Sequence, residues 1–188
     1  MKTVDPIKDI KKIKKLQALL QKHGTLKQYA FVKVGLNTGL RVSDIISLKW
    51  CDLEENDNFI YIDLKEKKTG KSKRIKINGD VRNCLNELRD QNPSEVWVFQ
   101  SESNNNRGEH WTRQTPYNFL NEYGKLAGIK TKIGTHTLRK TFGYHNYKRG
   151  IDLSYLQKIF NHSTPRITLD YIGITQEEID EIYINTNL

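Results

Sequence analysis

The chain has few cysteines and no long apolar segment. Cysteine occurs twice in 188 residues, and Cys51 and Cys84 stand in no spacing typical of metal ligands or of a disulfide framework. Both are therefore expected to be buried thiols in a reducing compartment. No apolar run approaches the roughly 18 residues that a membrane span requires, and the N-terminal segment lacks the apolar centre of a signal peptide. These absences predict a cytoplasmic protein without a membrane partner.

Acidic residues are in the minority. The chain has 31 Lys and Arg against 22 Asp and Glu, which gives a formal net charge of +9. Such a surplus favours a polyanionic partner, because binding releases the counterions of the polyanion, although a basic surface also serves solubility alone. Nucleases that use two metal ions need clustered carboxylates, and the sequence shows no such cluster. Nucleic acid is the first candidate partner, and no divalent ion is expected.

The first predicted helix is amphipathic and follows an Asp-Pro pair. Asp5 is the expected N-cap, Pro6 the expected first-turn residue, and Gly24 the expected end. Apolar residues recur at helical spacing along this segment, namely Ile7, Ile10, Ile13, Leu16, Leu19 and Leu20. The other face carries lysines, namely Lys8, Lys11, Lys12, Lys14 and Lys15. These lysines either contact phosphate groups or are simply solvated, and the sequence leaves both possibilities open.

The rest of the chain predicts further helices and a small sheet. After a polar turn, residues 59–64 and 73–77 alternate and contain β-favouring types, so they should form an antiparallel hairpin. The basic connection 65–71 should be exposed and mobile. Helices are predicted at 25–38, 42–48, 80–90, 113–127, 136–149, 152–160, 165–172 and 176–184. The expected fold is a single domain over residues 1–188, mainly α with a small antiparallel β-sheet, in the α+β class.

Three short motifs occur in order along the chain. The first is TGLRVSD at 38–44, the second is GTHTLR at 134–139, and the third is FNHSTPRITLDY at 160–171. In the third motif His162 precedes Tyr171 by nine positions, and Lys68 of the hairpin connection lies between the first two motifs. Together these segments resemble the arginine box, the His-x-x-Arg box, the C-terminal box and the β-hairpin lysine of the tyrosine recombinases, the phage integrase family. The resemblance spans residues 25–175.

The resemblance implies a metal-independent transesterification at a DNA phosphodiester, with no cofactor. Tyr171 would attack phosphorus and form a 3′-phosphotyrosine, which conserves the energy of the broken bond, so that ATP is not needed. Arg41 and Arg139 would hold the non-bridging oxygens, because a planar guanidinium binds two oxygens at once. A phenol with a pKa of about 10 needs a base or a positive environment at neutral pH, and His136 is the candidate base.

The remaining site residues have supporting roles. The resemblance implies that Lys68 protonates the leaving 5′ oxygen while the hairpin closes over the DNA, and that His162 forms a hydrogen bond to the scissile phosphate. Asp44 lies at an i, i+3 spacing from Arg41, and it either orients the groups of the site or forms an ordinary surface ion pair. Four other tyrosines are expected to be packing residues, namely Tyr144, Tyr147, Tyr155 and Tyr183.

Two positions depart from the family's pattern. Lys140 stands where the family most often has histidine, and Asn161 replaces a common glycine; both departures bear on the rate of turnover. The family's separate N-terminal core-binding domain is expected to be absent, either because the chain is a fragment of a longer enzyme or because it is a minimal single-domain protein. DNA binding should then be weak and steeply dependent on salt. The expected partners are double-stranded DNA and further copies of the chain, as a tetramer on recombining DNA and as a monomer or weak oligomer without it.

Three interpretations follow from these motifs. The first is a recombinase of a phage or mobile element that breaks and rejoins DNA, and the second is a catalytically idle DNA-binding or regulatory protein with the same fold. The third is a relaxase of the type IB topoisomerase kind, which usually has a larger clamp. The intact set of six candidate residues argues against the second interpretation. Residues 176–188 pack either on their own domain or on a neighbouring protomer, and the sequence leaves this open.

Overall fold

Helices make up most of the fold in a computed structural model that describes residues 4–56, 59–66, 68 and 70–186. The elements are α1 (Ile10–His23), α2 (Leu26–Thr38), α3 (Val42–Ile46), β1 (Leu53–Asn56), β2 (Phe59–Lys65), β3 (Ser72–Lys76), α4 (Gly79–Gln91), α5 (Gln114–Leu126), α6 (Thr137–Lys148), α7 (Leu153–Phe160), α8 (Pro165–Ile172) and α9 (Gln176–Asn185). The predicted mainly α fold with a small antiparallel sheet is confirmed. None of the helices in these ranges is both long and apolar enough to cross a membrane.

The sheet has the strand order β1-β2-β3, and both strand pairs are antiparallel. Ile62 of the central strand pairs with Leu53 of β1 and with Ile75 of β3. Ile60 and Ile62 are buried on one face of β2, because alternate side chains of a strand point to the same side. The β2–β3 connection, which carries Lys68, extends from the end of this hairpin.

Helix ends coincide with capping residues. Thr25 and Gln28 form a reciprocal capping box at the start of α2. Thr164 caps α8, and Pro165 occupies its first turn, where a helix has no use for the missing N–H. Gly39 ends α2 with a φ of 61°, a left-handed conformation that glycine adopts without strain. This turn leads directly into the segment that carries Arg41.

Two apolar clusters form the core. The larger cluster packs the sheet against α1, α2, α4 and α5. The smaller cluster joins α6, α7 and α8, and its buried members are Tyr144, Leu156, Phe160 and Ile172. Gly143 permits this close packing, because a Cβ there would lie 2.6 Å from the Ile172 side chain and 2.7 Å from the Phe160 ring. Tyr171 packs against the smaller cluster, which therefore sets its position relative to α6.

The first helix begins later than the sequence predicts. Its N-cap is Asp9 rather than Asp5, and residues 4–9 lie outside the helix. The Ile7 amide donates to Thr141 Oγ1 at 2.9 Å, and the Ile7 carbonyl oxygen lies 2.8 Å from His145 Nε2. These contacts with α6 hold the segment around Pro6 away from a helical path.

Several expectations about local structure and burial are wrong. Residues 53–56, expected in a polar turn, form strand β1, and α3 ends at Ile46 rather than at residue 48. Cys51 is exposed although Cys84 is buried, and both are free thiols. Tyr155 and Tyr183 are 64% and 76% exposed, so they are not packing residues. Residues 67 and 69 of the predicted connection lie outside the described residues.

Candidate active site

Arg41 lies at the N-cap of α3, and carboxylates surround its guanidinium. Its Nη1 is 2.8 Å from Oε2 of Glu66 and 3.8 Å from Oδ2 of Asp44. The side chains of Glu66 and Asp44 are 5% and 1% exposed, so the three groups form a buried ion cluster. The alternative prediction, that Asp44 forms an ordinary surface ion pair, is wrong. The Arg41 side chain itself is 14% exposed. In such a dehydrated position a cation acts on a nearby phosphate more strongly than it would in water.

Arg139 lies on α6 and is fixed by two main-chain carbonyls. Its Nη1 donates to the carbonyl oxygen of Gly39, and its Nη2 donates to the carbonyl oxygen of Phe160 at 3.1 Å. The guanidinium carbon also lies 4.7 Å from the centre of the Phe160 ring. Because Gly39 is two residues before Arg41, the first of these bonds keeps the two arginines close together.

The phenol of Tyr171 meets the imidazole of His136. The Tyr171 oxygen lies 3.1 Å from Nδ1 of His136, and the two rings are edge to face. Tyr171 is in the last turn of α8, and His136 is the N-cap residue of α6. Arg139 also lies close enough to stabilise the phenolate form of Tyr171. Arg41, His136, Arg139 and Tyr171 thus lie close together, although they come from α3, α6 and α8.

The protonation states of this pair suit proton transfer. Burial raises the pKa of Tyr171 above its usual value, although the charges of Arg139 and Arg41 offset part of the rise. Desolvation lowers the pKa of His136, and the nearby cations Arg139 and Lys140 lower it further. At neutral pH the phenol is therefore protonated and the imidazole neutral, as a proton transfer from Tyr171 to His136 requires.

His162 comes directly after a left-handed residue at the end of α7. That residue, Asn161, has a φ of 56°, and asparagine tolerates this conformation better than most residues other than glycine. The ring of His162 packs edge-on against Tyr171, with 4.9 Å between ring centres. Its Nδ1 lies 3.1 Å from Thr168 Oγ1. Nε2 is therefore the nitrogen with which His162 would meet a phosphate oxygen.

A cavity of about 420 Å³ joins the hairpin to the first two motifs. Its lining residues are Arg41, Val42, Ser43, Lys68, Arg113, Thr135 and His136. Lys68 is exposed on the β2–β3 connection, and its charge is close enough to contribute to the lowered pKa of His136. Tyr171 adjoins this cavity through its contact with His136.

The structure thus brings the predicted site residues together in two adjoining groups. Arg41, Lys68 and His136 line the cavity, while Arg139, His162 and Tyr171 surround the Phe160 ring. Asp44 is buried beside Arg41 and lines a different cavity.

Three charged residues lie at the site although the motifs assign them no role there. Glu66 is buried on Arg41, and its one signal in the sequence is that it is an acid inside an otherwise basic connection. Arg113 lines the cavity from the N-cap position of α5, and no local pattern marks it. Lys140 is buried, with Nζ 5.2 Å from the centre of the Tyr171 ring. The site is therefore more highly charged than the motifs predict.

These groups match the needs of phosphoryl transfer to a tyrosine. Two arginines can hold the phosphate oxygens, a neutral imidazole can take the phenol proton, and a lysine lines the cavity beside them. Within the described ranges, no three His, Cys, Asp or Glu side chains are grouped in a way that could hold a metal ion. The arrangement therefore suits a site in which a tyrosine takes up a phosphoryl group.

Sequence comparisons place the chain in a family. The model of the phage integrase family matches residues 8–178, and the chain belongs to that family. It is similar to the probable integrase/recombinase YoeC of Bacillus subtilis, with 34% identity over 183 residues that cover 97% of both chains. It is also similar to the tyrosine recombinase XerA of Pyrococcus furiosus, with 29% identity over 180 residues. That match covers 94% of this chain but 60% of XerA.

Solved structures share the fold. The crystal structure of XerA recombinase superposes with a TM-score of 0.77 at 22% identity and covers 100% of this chain and 66% of that one. The site-specific recombinase XerH, in a post-cleavage complex with its palindromic difH substrate, superposes with a TM-score of 0.79 at 18% identity. The XerH match covers 98% of this chain and 54% of XerH. The chain therefore spans a little over half to two thirds of these neighbours.

Proposed function

We propose that the chain is a site-specific DNA recombinase that breaks and rejoins strands through a 3′-phosphotyrosine. The observation that carries the proposal is the 3.1 Å contact between the Tyr171 oxygen and His136 Nδ1, beside Arg139 and close to Arg41. DNA as the substrate is supported by the relatives, which are named as recombinases and integrases, and by XerH, which was captured on its DNA site.

In the first step the phenolic oxygen of Tyr171 attacks the scissile phosphorus. The phenol proton passes to Nδ1 of His136, the bond between phosphorus and the 5′ oxygen breaks, and Lys68 donates a proton to that oxygen. Arg41 and Arg139 neutralise the negative charge that builds up on the non-bridging oxygens. The products are a 3′-phosphotyrosine and a free 5′ hydroxyl.

In the second step a 5′ hydroxyl of another strand attacks the phosphotyrosine, and its proton passes to Lys68, which the first step left neutral. One phosphate ester bond forms as another breaks, so neither ATP nor a cofactor is consumed. His136 returns the proton to Tyr171, and His162 holds a phosphate oxygen through Nε2. Asp44 contributes indirectly, because its carboxylate at 3.8 Å helps to orient Arg41.

Trapping on nicked DNA tests the nucleophile. The substrate is a library of duplexes of random sequence, each with a nick close to a potential cleavage point. Cleavage beside the nick releases a short oligonucleotide and leaves the protein covalently attached to the DNA. Adducts separated under denaturing conditions and sequenced would also give the target site. Tyr171→Phe should yield no adduct, whereas the matched variant Tyr155→Phe, which alters an exposed phenol on α7, should yield the wild-type amount. An adduct that survives Tyr171→Phe would mean that another residue attacks.

The same assay separates a recombinase from other possibilities. Adduct formation should continue in EDTA, because arginine and lysine supply the positive charge, and a strict requirement for Mg²⁺ would point to a nuclease. A catalytically idle DNA-binding or regulatory protein would bind duplex DNA without trapping it. Lys140 and Asn161 are the departures that bear on this alternative, yet both coexist with the contact between His136 and Tyr171.

The partners follow from the same proposal. The chain would bind double-stranded DNA, form a tetramer on recombining DNA and remain a monomer or weak oligomer without it. Sedimentation with and without the selected duplex tests this. It would act in the cytoplasm, where its two free cysteines stay reduced.

A further inference from the structure

Two groups of the proposed reaction lie on separate parts of the fold but must act on one phosphorus. Tyr171 on α8 supplies the attacking oxygen, and Lys68 on the β2–β3 connection protonates the leaving oxygen. Because a misplacement of about 1 Å can reduce the rate by about 100-fold, the hairpin needs a fixed position relative to α7 and α8.

The last turn of α7 shows where such a connection is made. A helix leaves its last four carbonyls without partners inside the helix. The carbonyl oxygen of Gln157 accepts the amide of His162 at 3.0 Å, and that of Lys158 accepts the amide of Asn161 at 3.2 Å. The backbone after the helix thus satisfies the first two of the four carbonyls.

Cationic side chains satisfy the other two carbonyls. The carbonyl oxygen of Phe160 accepts Nη2 of Arg139 at 3.1 Å. The carbonyl oxygen of Ile159 accepts Nζ of Lys73 at 3.1 Å. Positive charge is favourable at this end of a helix, because the helix dipole is negative there. Arg139 comes from α6, within the motif, but Lys73 comes from β3, on the hairpin that carries Lys68.

The surroundings of Lys73 connect it to the rest of the site. Burial lowers the pKa of Lys73, and Arg139 lowers it further, while Glu66 acts in the opposite direction. The ammonium of Lys73 therefore lies close to the charged groups of the site and is partly removed from solvent. A second contact runs beside it, from Lys71 Nζ to Asn161 Oδ1 at 2.7 Å.

We infer that Lys73 is a positioning residue, which ties the hairpin bearing Lys68 to the end of α7 so that Lys68 and Tyr171 face the same phosphorus. The inference rests on the proposed roles of Lys68 and Tyr171. The ammonium of Lys73 is directed at the Ile159 carbonyl, so it acts on geometry and not on the phosphate.

A substrate with sulfur in place of the bridging 5′ oxygen distinguishes positioning from a general structural role. A thiol has a pKa of about 8.5 and leaves as the anion, so its departure does not need the proton of Lys68. Single-turnover cleavage of oxygen and sulfur versions of the selected duplex is compared for wild type, Lys68→Ala, Lys73→Met, Lys73→Arg and Lys76→Met. Lys76 is the matched control, because it is exposed on the same strand and lies over the Phe59 ring.

Lys73→Met is expected to cleave the oxygen duplex about 10- to 100-fold more slowly than Lys76→Met, with equal DNA affinity. On the sulfur duplex both Lys73→Met and Lys68→Ala should approach the wild-type rate. Lys73→Arg, which keeps a cation within reach of the carbonyl, should restore most of the oxygen rate. Equal oxygen rates for the two methionine variants would overturn the inference, and so would a defect that persists on sulfur.

Amide hydrogen exchange without DNA tests the tether independently of catalysis. Lys73→Met should accelerate exchange both in residues 70–76 and in residues 157–162, whereas Lys76→Met should leave 157–162 as in wild type. Unchanged exchange at 157–162 in Lys73→Met would also overturn the inference. A wild-type chain that traps no DNA would contradict the proposed function, and the exchange result would then decide the tether by itself.

Discussion

Glu66 holds the guanidinium that the proposed reaction needs for the phosphate. Its carboxylate is 2.8 Å from Arg41 and almost fully buried. A phosphate oxygen must therefore share Arg41 with this carboxylate or displace it. Glu66 precedes Lys68 by two positions on the same connection, and in this way it can oppose DNA binding.

Replacing Glu66 with glutamine tests this competition. Glu66→Gln is expected to tighten binding of the selected duplex by about 3- to 10-fold, or roughly 0.6–1.4 kcal/mol, because a negative charge next to the phosphate is removed. It should also reduce the free energy of unfolding by about 1–3 kcal/mol, since the largely buried guanidinium of Arg41 loses a charged partner. Fluorescence anisotropy and urea unfolding measure the two effects. Glu55→Gln, at an exposed position on β1, is the control, and equal affinities for both variants would refute the competition.

The pH dependence of cleavage should follow the protonation of His136. Its pKa lies below the usual 6.5, owing to desolvation and to Arg139 and Lys140. Adduct formation should therefore persist below pH 6.5 and decline only when His136 is protonated. Lys140→Met removes one nearby cation, so the pKa of His136 rises and the decline should move to higher pH. Lys132→Met, at an exposed position, should leave the pH profile unchanged. Identical profiles for both variants would show that Lys140 does not affect the pKa of His136.

The lowered pKa of His136 also sets the sign of its effect on stability. Below pH 6.5 the unfolded chain binds a proton at this position that the folded chain binds less readily. The free energy of unfolding therefore falls as the pH drops through this range, and the contribution of His136 to stability is fully present above it.

At the level of single residues, the motifs identified the side chains that lie within short segments of defined spacing. Arg41, Arg139 and His162 were found in this way. Glu66 was not, because its contact with Arg41 exists only once the hairpin has folded against α3. Arg113 likewise reaches the cavity from the start of α5, and such tertiary neighbours have no sequence period.

Helix α9 contacts the rest of its domain through the partly buried carboxylate of Glu178. Lys8 Nζ lies 2.7 Å from Glu178, while Lys148 Nζ and the Tyr144 hydroxyl each lie 3.0 Å from it. The Thr175 amide adds the reciprocal bond of a capping box. Burial raises the pKa of Glu178, but hydrogen bonds from Lys8 and Lys148 outweigh it and bring the pKa to about 2. In the single chain, α9 therefore packs on its own domain.

The docking of α9 should therefore be sensitive to acid and to loss of this charge. With a pKa of about 2 in place of 4.5, the carboxylate of Glu178 stabilises the docked state above pH 4.5, and this contribution is lost as the pH falls toward 2. Glu178→Gln should reduce this stabilisation by about 2 kcal/mol at neutral pH. The pKa difference corresponds to about 3.4 kcal/mol, and solvent screening of the partly exposed lysines reduces it. A loss of about 2 kcal/mol equals about 30-fold faster amide exchange in α9. Glu177→Gln, an exposed acid in the same first turn, is the matched control. Equal exchange in both variants would show that apolar contacts hold the helix.

Elements with strong local signals were predicted well, and those shaped by distant contacts were not. Thr164 and Pro165 predict the start of α8, and the helix begins at that position. Asp5 and Pro6 give a similar signal, but the bonds of Ile7 to α6 prevail over it. Strand β1 has the polar sequence LEEN, and its structure comes from pairing with β2.

The charge of the whole molecule bears on DNA binding through its distribution. The net charge is +9, but several cations already have counterions within the protein. Arg74, for example, lies 2.9 Å from both Glu54 and Asp63, and Lys27 contacts two glutamates. The net charge alone therefore does not say which cations release counterions from DNA.

The salt dependence of binding can identify those cations. Each phosphate that a cation neutralises contributes about 0.9 to the slope of log affinity against log salt. Arg113→Ala, in the lining of the cavity, should weaken binding and reduce the slope by about 0.9, measured by anisotropy with the selected duplex between about 50 and 200 mM salt. Arg74→Ala makes the same change in net charge at a residue already paired with two carboxylates, so its slope should remain that of wild type. If both variants lower the slope equally, long-range charge dominates binding, and the cavity is not where the DNA backbone is held.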